Sequence, residues 1–173
     1  MDKLEKPKWT EFDGTSSELE MSELLYGLVR MLKPKLLVET GTYKGFTTAW
    51  LADAIKENNY GEFISCDINE EYITLAQKYL SSLELSKFVE LRCISSYLVE
   101  ELKEADFIYS DSDYQCRAKE IELAKKGCII VIHDTSLESW RKYSPTSKYL
   151  GDTLATYDGL TFGVSRGFSI IRK

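Results

Sequence analysis

Acidic side chains and glycines recur where short apolar runs stop. Leu36-Leu37-Val38 runs into Glu39-Thr40-Gly41-Thr42-Tyr43-Lys44-Gly45, a second run ends at Asp67, 28 positions beyond Glu39, a third in Asp111-Ser112-Asp113 and a fourth in His133-Asp134. Gly41 and Gly45 let the backbone turn sharply and come close to a ligand, and the helix start that follows offers free N–H groups. A carboxylate heading such a loop repels pyrophosphate and attracts an ammonium group, which separates it from the GxGxxG dinucleotide loop. Asp67, at the end of the next strand, stands where an acid accepts hydrogen bonds from both hydroxyls of a ribose. Taken singly, Glu39 and Asp67 read equally as a helix-capping acid and a solvated strand-end acid; their spacing favours the paired ligand reading. Asp111 and Asp134 form a hard-cation pair, short of the oxygen count magnesium prefers unless water and a substrate diol complete the shell, and otherwise read as polar strand-end residues, with one acid of the Asp-Ser-Asp run capping the next helix. His133, the only imidazole, reads either as a general base or as a satisfied structural side chain.

These residues need a scaffold that brings strand ends together. Met21, Leu24, Leu25, Leu28 and Leu32 fall on one helix face, with Thr15, Ser16 and Ser17 as N-cap candidates and Pro34 as the stop. Strands are expected at 35–39, 62–66, 88–92, 107–110 and 128–132, with helices over 46–56, 72–83 and 114–125. Strands alternating with helices of this length imply right-handed crossovers and a parallel sheet covered on both faces. At the end, 160–162 and 168–171 are separated by too few residues for a helical crossover, so a hairpin closes the chain. Alternation along the fifth strand is expected to send His133 and Asp134 to opposite sides.

With 173 residues, 43% hydrophobic and 29% charged, the chain suits one globular domain. No apolar run approaches the roughly 20 residues of a membrane span and residues 1–8 are charged, so a soluble cytoplasmic protein is expected. A net charge of −6 disfavours nucleic acid. Cys66, Cys93, Cys116 and Cys128 have no CxxC spacing, and three of them sit in apolar runs as buried free thiols do. Trp140, Tyr143, Tyr149 and Tyr157 read as core, interface or a substrate wall, and Trp9 and Phe12 as a lid, a homodimer contact or a loose tail.

The runs LLVETGTYKGFTTAWLADAI, FISCDI, DFIYSDSDY, GCIIVIHDT and GLTFGVSRGFSIIRK together resemble the class I S-adenosylmethionine-dependent methyltransferases, and within them the small O-methyltransferases related to catechol O-methyltransferase. The resemblance covers residues 16–173 as one domain after a polar lead of 1–15. It implies an α/β, Rossmann-like three-layer sandwich with a mostly parallel seven-stranded sheet and an antiparallel C-terminal strand. It also implies methyl transfer from S-adenosylmethionine to a hydroxyl of a small molecule, sugar or natural product. By position, Glu39 would meet the methionine ammonium, Thr40, Gly41 and Gly45 would pass close to the cofactor, and Asp67 would bind the ribose with Ile68 against the adenine. Ser95 and Ser96 stand where relatives carry Gly-Asp-Ser around the adenine. Asp111 is counted with the cofactor and catalytic groups, beside His133 as base. Asp111 and Asp134 fall where metal-dependent members hold magnesium, with Thr135 in place of the usual Asn and Tyr114 in place of a frequent His. A nucleic-acid methyltransferase and a cofactor-binding protein without catalysis remain the alternatives. A nicotinamide dehydrogenase would share the fold but want GxGxxG.

Overall fold

The computed structural model describes residues 9–10, 13, 15–136, 146–163 and 165–173. In chain order the elements are α1 (Leu19–Leu32), β1 (Leu36–Thr40), α2 (Phe46–Asn58), β2 (Glu62–Asp67), α3 (Glu70–Ser82), β3 (Glu90–Cys93), β4 (Phe107–Ser110), α4 (Tyr114–Leu123), β5 (Ile129–His133), α5 (Thr146–Leu154), β6 (Gly159–Phe162) and β7 (Phe168–Arg172). The strands form one sheet in the order β3-β2-β1-β4-β5-β7-β6. Strands β1 to β5 are parallel, and β7 runs antiparallel to both β5 and β6. This is the expected three-layer α/β architecture with a hairpin end.

Alternation splits the central strands between two cores. Leu37, Phe107 and Val131 join Met21, Leu25, Val29, Leu51 and Leu80 from α1, α2 and α3. Their neighbours Val38, Ile108, Ile130 and Ile132 join Ala118, Ile121, Leu150 and Leu154 from α4 and α5. Strands buried on both faces read as unbroken apolar runs, which is why they were legible as parallel strands.

Some expectations need correction. None of Thr15, Ser16 and Ser17 caps α1: Glu18 holds the N-cap position with extended backbone and makes no side-chain cap bond. The segment expected to begin a strand at 88 first makes a short 3-10 turn, so β3 starts at Glu90. Helix α5 was not anticipated; it is short, and Leu150 and Leu154 are the buried pair one turn apart. Cys93 is exposed, whereas Cys66 and Cys128 are buried. Trp9 packs against the α1 side and Tyr157 against the α4 side. Tyr149 is exposed, and Phe12, Trp140 and Tyr143 lie outside the described residues. Among the described residues no helix is long and apolar enough to cross a membrane.

Candidate active site

A cavity of about 330 Å³ opens beyond the C-terminal ends of the parallel strands, where the sheet order turns from β1 towards β2 on one side and β4 on the other. Sites of open α/β sheets lie at such a switch point, and about 300 Å³ is the lower end of small-molecule pockets. Gly41 and Thr42 line it after β1, Asp67 and Ile68 after β2, and Ser95 and Ser96 after β3. Asp111 and Asp134 line it after β4 and β5, and Thr15, Ser16, Ser17 and Arg166 complete the wall. The boundary drawn between residues 15 and 16 therefore falls inside the wall.

The glycine loop is built as its sequence requires, for a different reason than ligand approach alone. Gly41 has φ +90°, and a Cβ there would run into the backbone carbonyl of Asp111. Gly45, at φ +84° before α2, has Ala76 of α3 where its Cβ would stand, and it does not line the cavity. Both glycines let protein backbone close over protein; only Gly41 also faces the pocket. Asp67 secures this loop, accepting from the Tyr43 N–H at 2.9 Å through Oδ2 and from the Asn69 N–H at 2.9 Å through Oδ1. Ile68 is 74% exposed on the cavity rim, an apolar platform that folding alone does not need.

Glu39 lies beneath the wall, fully buried. Its Oε2 accepts from Thr48 Oγ1 and Ser65 Oγ, each at 2.6 Å, and Ser65 Oγ sits 2.6 Å from Thr42 Oγ1 on the cavity wall. Its Oε1 finds no hydrogen-bond partner among the described residues. Burial pushes its carboxyl up to about 8, with the two hydroxyls opposing only part of that rise. Thr40 is not brought to the cavity: its hydroxyl donates to Glu120 Oε2 at 2.8 Å.

Beyond β4 and β5 lies a cluster of six charged side chains. His133 Nε2 is 2.8 Å from Glu18 Oε2, and its Nδ1 is 3.3 Å from Asp111 Oδ1. Carboxylates only accept, so both ring nitrogens donate and the imidazole is held as a cation. Burial opposes that charge, but Asp111, Glu18 and Asp134 outweigh it and raise His133 to about 9. Burial likewise works to raise Glu18, and His133 with Ser165 brings it down to about 2. Asp111 is held well below the ordinary carboxylate range against its own burial, by His133, then Arg117 and Arg166. Arg117, itself buried, donates from Nη2 to Asp111 Oδ1 at 3.0 Å and is anchored on the Ser112 and His133 carbonyls, each at 2.5 Å. Arg166 grips Asp134 with a fork, Nε to Oδ1 at 2.6 Å and Nη2 to Oδ2 at 2.9 Å.

Two expectations change here. His133 and Asp134 do not diverge: Asp134 has φ +57°, leaves the strand geometry at that residue, and brings its Oδ1 within 3.8 Å of His133 Nδ1. As a doubly donating cation that does not line the cavity, His133 has no lone pair with which to take a proton, so it is not placed to act as a base. One oxygen or nitrogen from each of Asp111, His133 and Asp134 lies within 4.8 Å of the others. The Thr135 hydroxyl accepts from Ser169 Oγ at 2.9 Å. Asp113 caps α4 by accepting from the Gln115 N–H at 3.0 Å. Glu18, Arg117 and Arg166 were missed. The first read as part of a helix start, and the two arginines carry no motif of their own, although Arg166 stands inside the closing GLTFGVSRGFSIIRK run.

The family model for the methyltransferase domain matches residues 38–135. A catechol O-methyltransferase of Niastella koreensis is 30% identical over 92 residues, covering 50% of this chain and 41% of that protein. The chain therefore matches less than half the length of that relative. The S-adenosylhomocysteine-bound methyltransferase PaMTH1 of Podospora anserina superposes with a TM-score of 0.73 at 17% identity, over 91% of this chain and 79% of its own. An O-methyltransferase of Bacillus cereus, also with S-adenosylhomocysteine, gives a TM-score of 0.73 at 19% identity over 93% and 84%. At those identities the structures speak for a shared fold.

Proposed function

The chain belongs to the methyltransferase domain family, and from that premise we propose that it transfers a methyl group from S-adenosylmethionine to a hydroxyl oxygen of a small molecule. The observation that carries the proposal is Glu39, a buried carboxyl with one oxygen unpartnered beneath a cavity that also presents Asp67 and the exposed Ile68. A buried polar atom without a partner is costly, and an ammonium group is the complement that removes the cost. The residues fit the cofactor. Glu39, through or beside Thr42, would hold the methionine end, Asp67 the ribose, and Ile68 with Ser95 and Ser96 the adenine.

When bound, S-adenosylmethionine would supply an electrophilic methyl group on a positively charged sulfur. The protein's share is to hold the acceptor in line and keep the site ordered. Ser16, Ser17 and Asp111 supply polar groups on the cavity wall beside the glycine loop. Asp111 Oδ2 accepts from Ser17 Oγ and Tyr109 OH, each at 3.2 Å, so this wall is fixed before an acceptor arrives.

Isothermal calorimetry with S-adenosylhomocysteine, with NAD as competitor, tests the cofactor, and turnover on a panel of small hydroxyl compounds tests the reaction. Tight NAD binding with no response to the thioether would overturn the reading. Binding without turnover across the panel would leave a cofactor-binding protein.

A further inference from the structure

The carboxylates that the resemblance assigns to magnesium are already satisfied by the chain's own cations. Asp134 gives both oxygens to the Arg166 fork, and Arg117 Nη2 stands between the acids, 3.0 Å from Asp111 Oδ1 and 3.6 Å from Asp134 Oδ2. Asp111 Oδ1 also receives His133, and its Oδ2 receives Ser17 and Tyr109. Three anions, Glu18, Asp111 and Asp134, thus face three cations, His133, Arg117 and Arg166. A magnesium ion asks for near-octahedral oxygen ligands at about 2.1 Å. Here it would have to displace a guanidinium held on two backbone carbonyls.

We infer that Arg117 and Arg166 take the electrostatic place of a divalent cation in this chain, so that the site is organised and works without a metal. Both are positioning residues. Arg117, 4% exposed in its side chain, fixes Asp111 against the end of β5. Arg166 ties Asp134 to the segment before α1, donating from Nη1 to the Ser16 carbonyl at 3.1 Å and the Thr15 carbonyl at 3.3 Å. A bidentate guanidinium on a carboxylate has a geometry that no lysine reproduces. The inference rests on the methyl-transfer reading only in saying that the work done is methyl transfer.

The test is a titration with Mn²⁺ followed by electron paramagnetic resonance on the full chain, with and without S-adenosylhomocysteine. The wild-type protein should show no stoichiometric Mn²⁺ site. Arg166→Ala, and Arg166→Gln which keeps a donor to Asp134 without the charge, should gain at least about tenfold in Mn²⁺ affinity, as both oxygens of Asp134 lose their guanidinium and become available to a hard cation. Adding Asp134→Asn to either variant should abolish the gain. A stoichiometric site in the wild-type protein that Asp134→Asn removes would overturn the inference, and so would a folded Arg166 variant that gains nothing. If the variants fail to fold, the wild-type titration alone decides. Calorimetry with S-adenosylhomocysteine on the same samples examines the methyltransferase reading separately: absence of cofactor heat would remove that reading and leave the exclusion of the metal standing.

Discussion

Glu18 and His133, 115 positions apart, meet 2.8 Å apart with both side chains almost completely buried. One is the residue before α1 and the other the last residue of β5, so the contact pins the start of the chain's first helix to the sheet beside the cavity.

That contact makes stability depend on pH in a defined direction. His133 rises from 6.5 to about 9 on folding, so its contribution is complete below pH 6.5 and is lost as pH climbs through about 9. Glu18 falls from 4.5 to about 2, so its contribution is complete above pH 4.5 and is lost as pH drops through about 2. Thermal melts should therefore show this pair's full effect between pH 4.5 and 6.5 and a decline on the alkaline side. Glu18→Gln should cost about 3 to 5 kcal/mol, because it leaves a buried cation short of one partner. A flat melting temperature from pH 6 to pH 10 would refute the pairing.

His133→Gln bears on the same residue from the side of catalysis. With its ring already a double donor, its loss should lower stability while turnover per folded molecule changes by less than about tenfold, in contrast to the 10²–10⁴-fold loss typical of a general base. Single-turnover rates on protein quantified as folded decide the matter.

Glu39 should announce the arrival of the cofactor with a proton. Burial pushes its carboxyl up to about 8, which favours the neutral form near pH 7, and an ammonium group beside it favours the charged form. Calorimetry in buffers of different ionisation enthalpy should show a proton released on binding S-adenosylhomocysteine at pH 7 and almost none at pH 9.5. Glu39→Gln should abolish the release.

Asp67→Ala should weaken S-adenosylhomocysteine by about 1 to 3 kcal/mol, the worth of charge-assisted hydrogen bonds. Because Asp67 also takes the Tyr43 and Asn69 N–H groups, the unliganded melting temperature should fall as well. Unchanged affinity would place the ribose elsewhere.

Gly41→Ala should cost about 1 to 3 kcal/mol from backbone strain alone, before the clash of the new Cβ with Asp111 is counted. Chemical denaturation of the variant measures it. A neutral result would show that the turn is not held as described.

The sheet and the two acids at the ends of β1 and β2 were legible because strand burial and strand-end chemistry both leave marks in short windows of sequence: an unbroken apolar run followed at once by a carboxylate. Half of the charged cluster was legible, Asp111, His133 and Asp134 at strand ends; Glu18, Arg117 and Arg166 were not, since they come from other segments and no local pattern ties them to those strand ends. Only one turn separates Arg117 from the Asp111 loop, yet its partners depend on where β5 ends. The joint orientation of His133 and Asp134 was misread because strand alternation was carried one residue too far, past the left-handed backbone at Asp134.

The wall of the cavity is also a statement about the order in which the chain is made. Ser165 Oγ donates to Glu18 Oε1 across 147 positions, and Arg166 closes on the carbonyls of residues 15 and 16. During synthesis β1, β2 and the glycine loop exist long before these partners, so the nascent chain holds a half-built pocket with Glu18 and His133 lacking their final cover. Long-range closures of this kind come late in folding. The hairpin at β6 and β7 thus acts as a latch: ligand binding by nascent chains arrested at increasing lengths should begin only once residue 166 has cleared the ribosome.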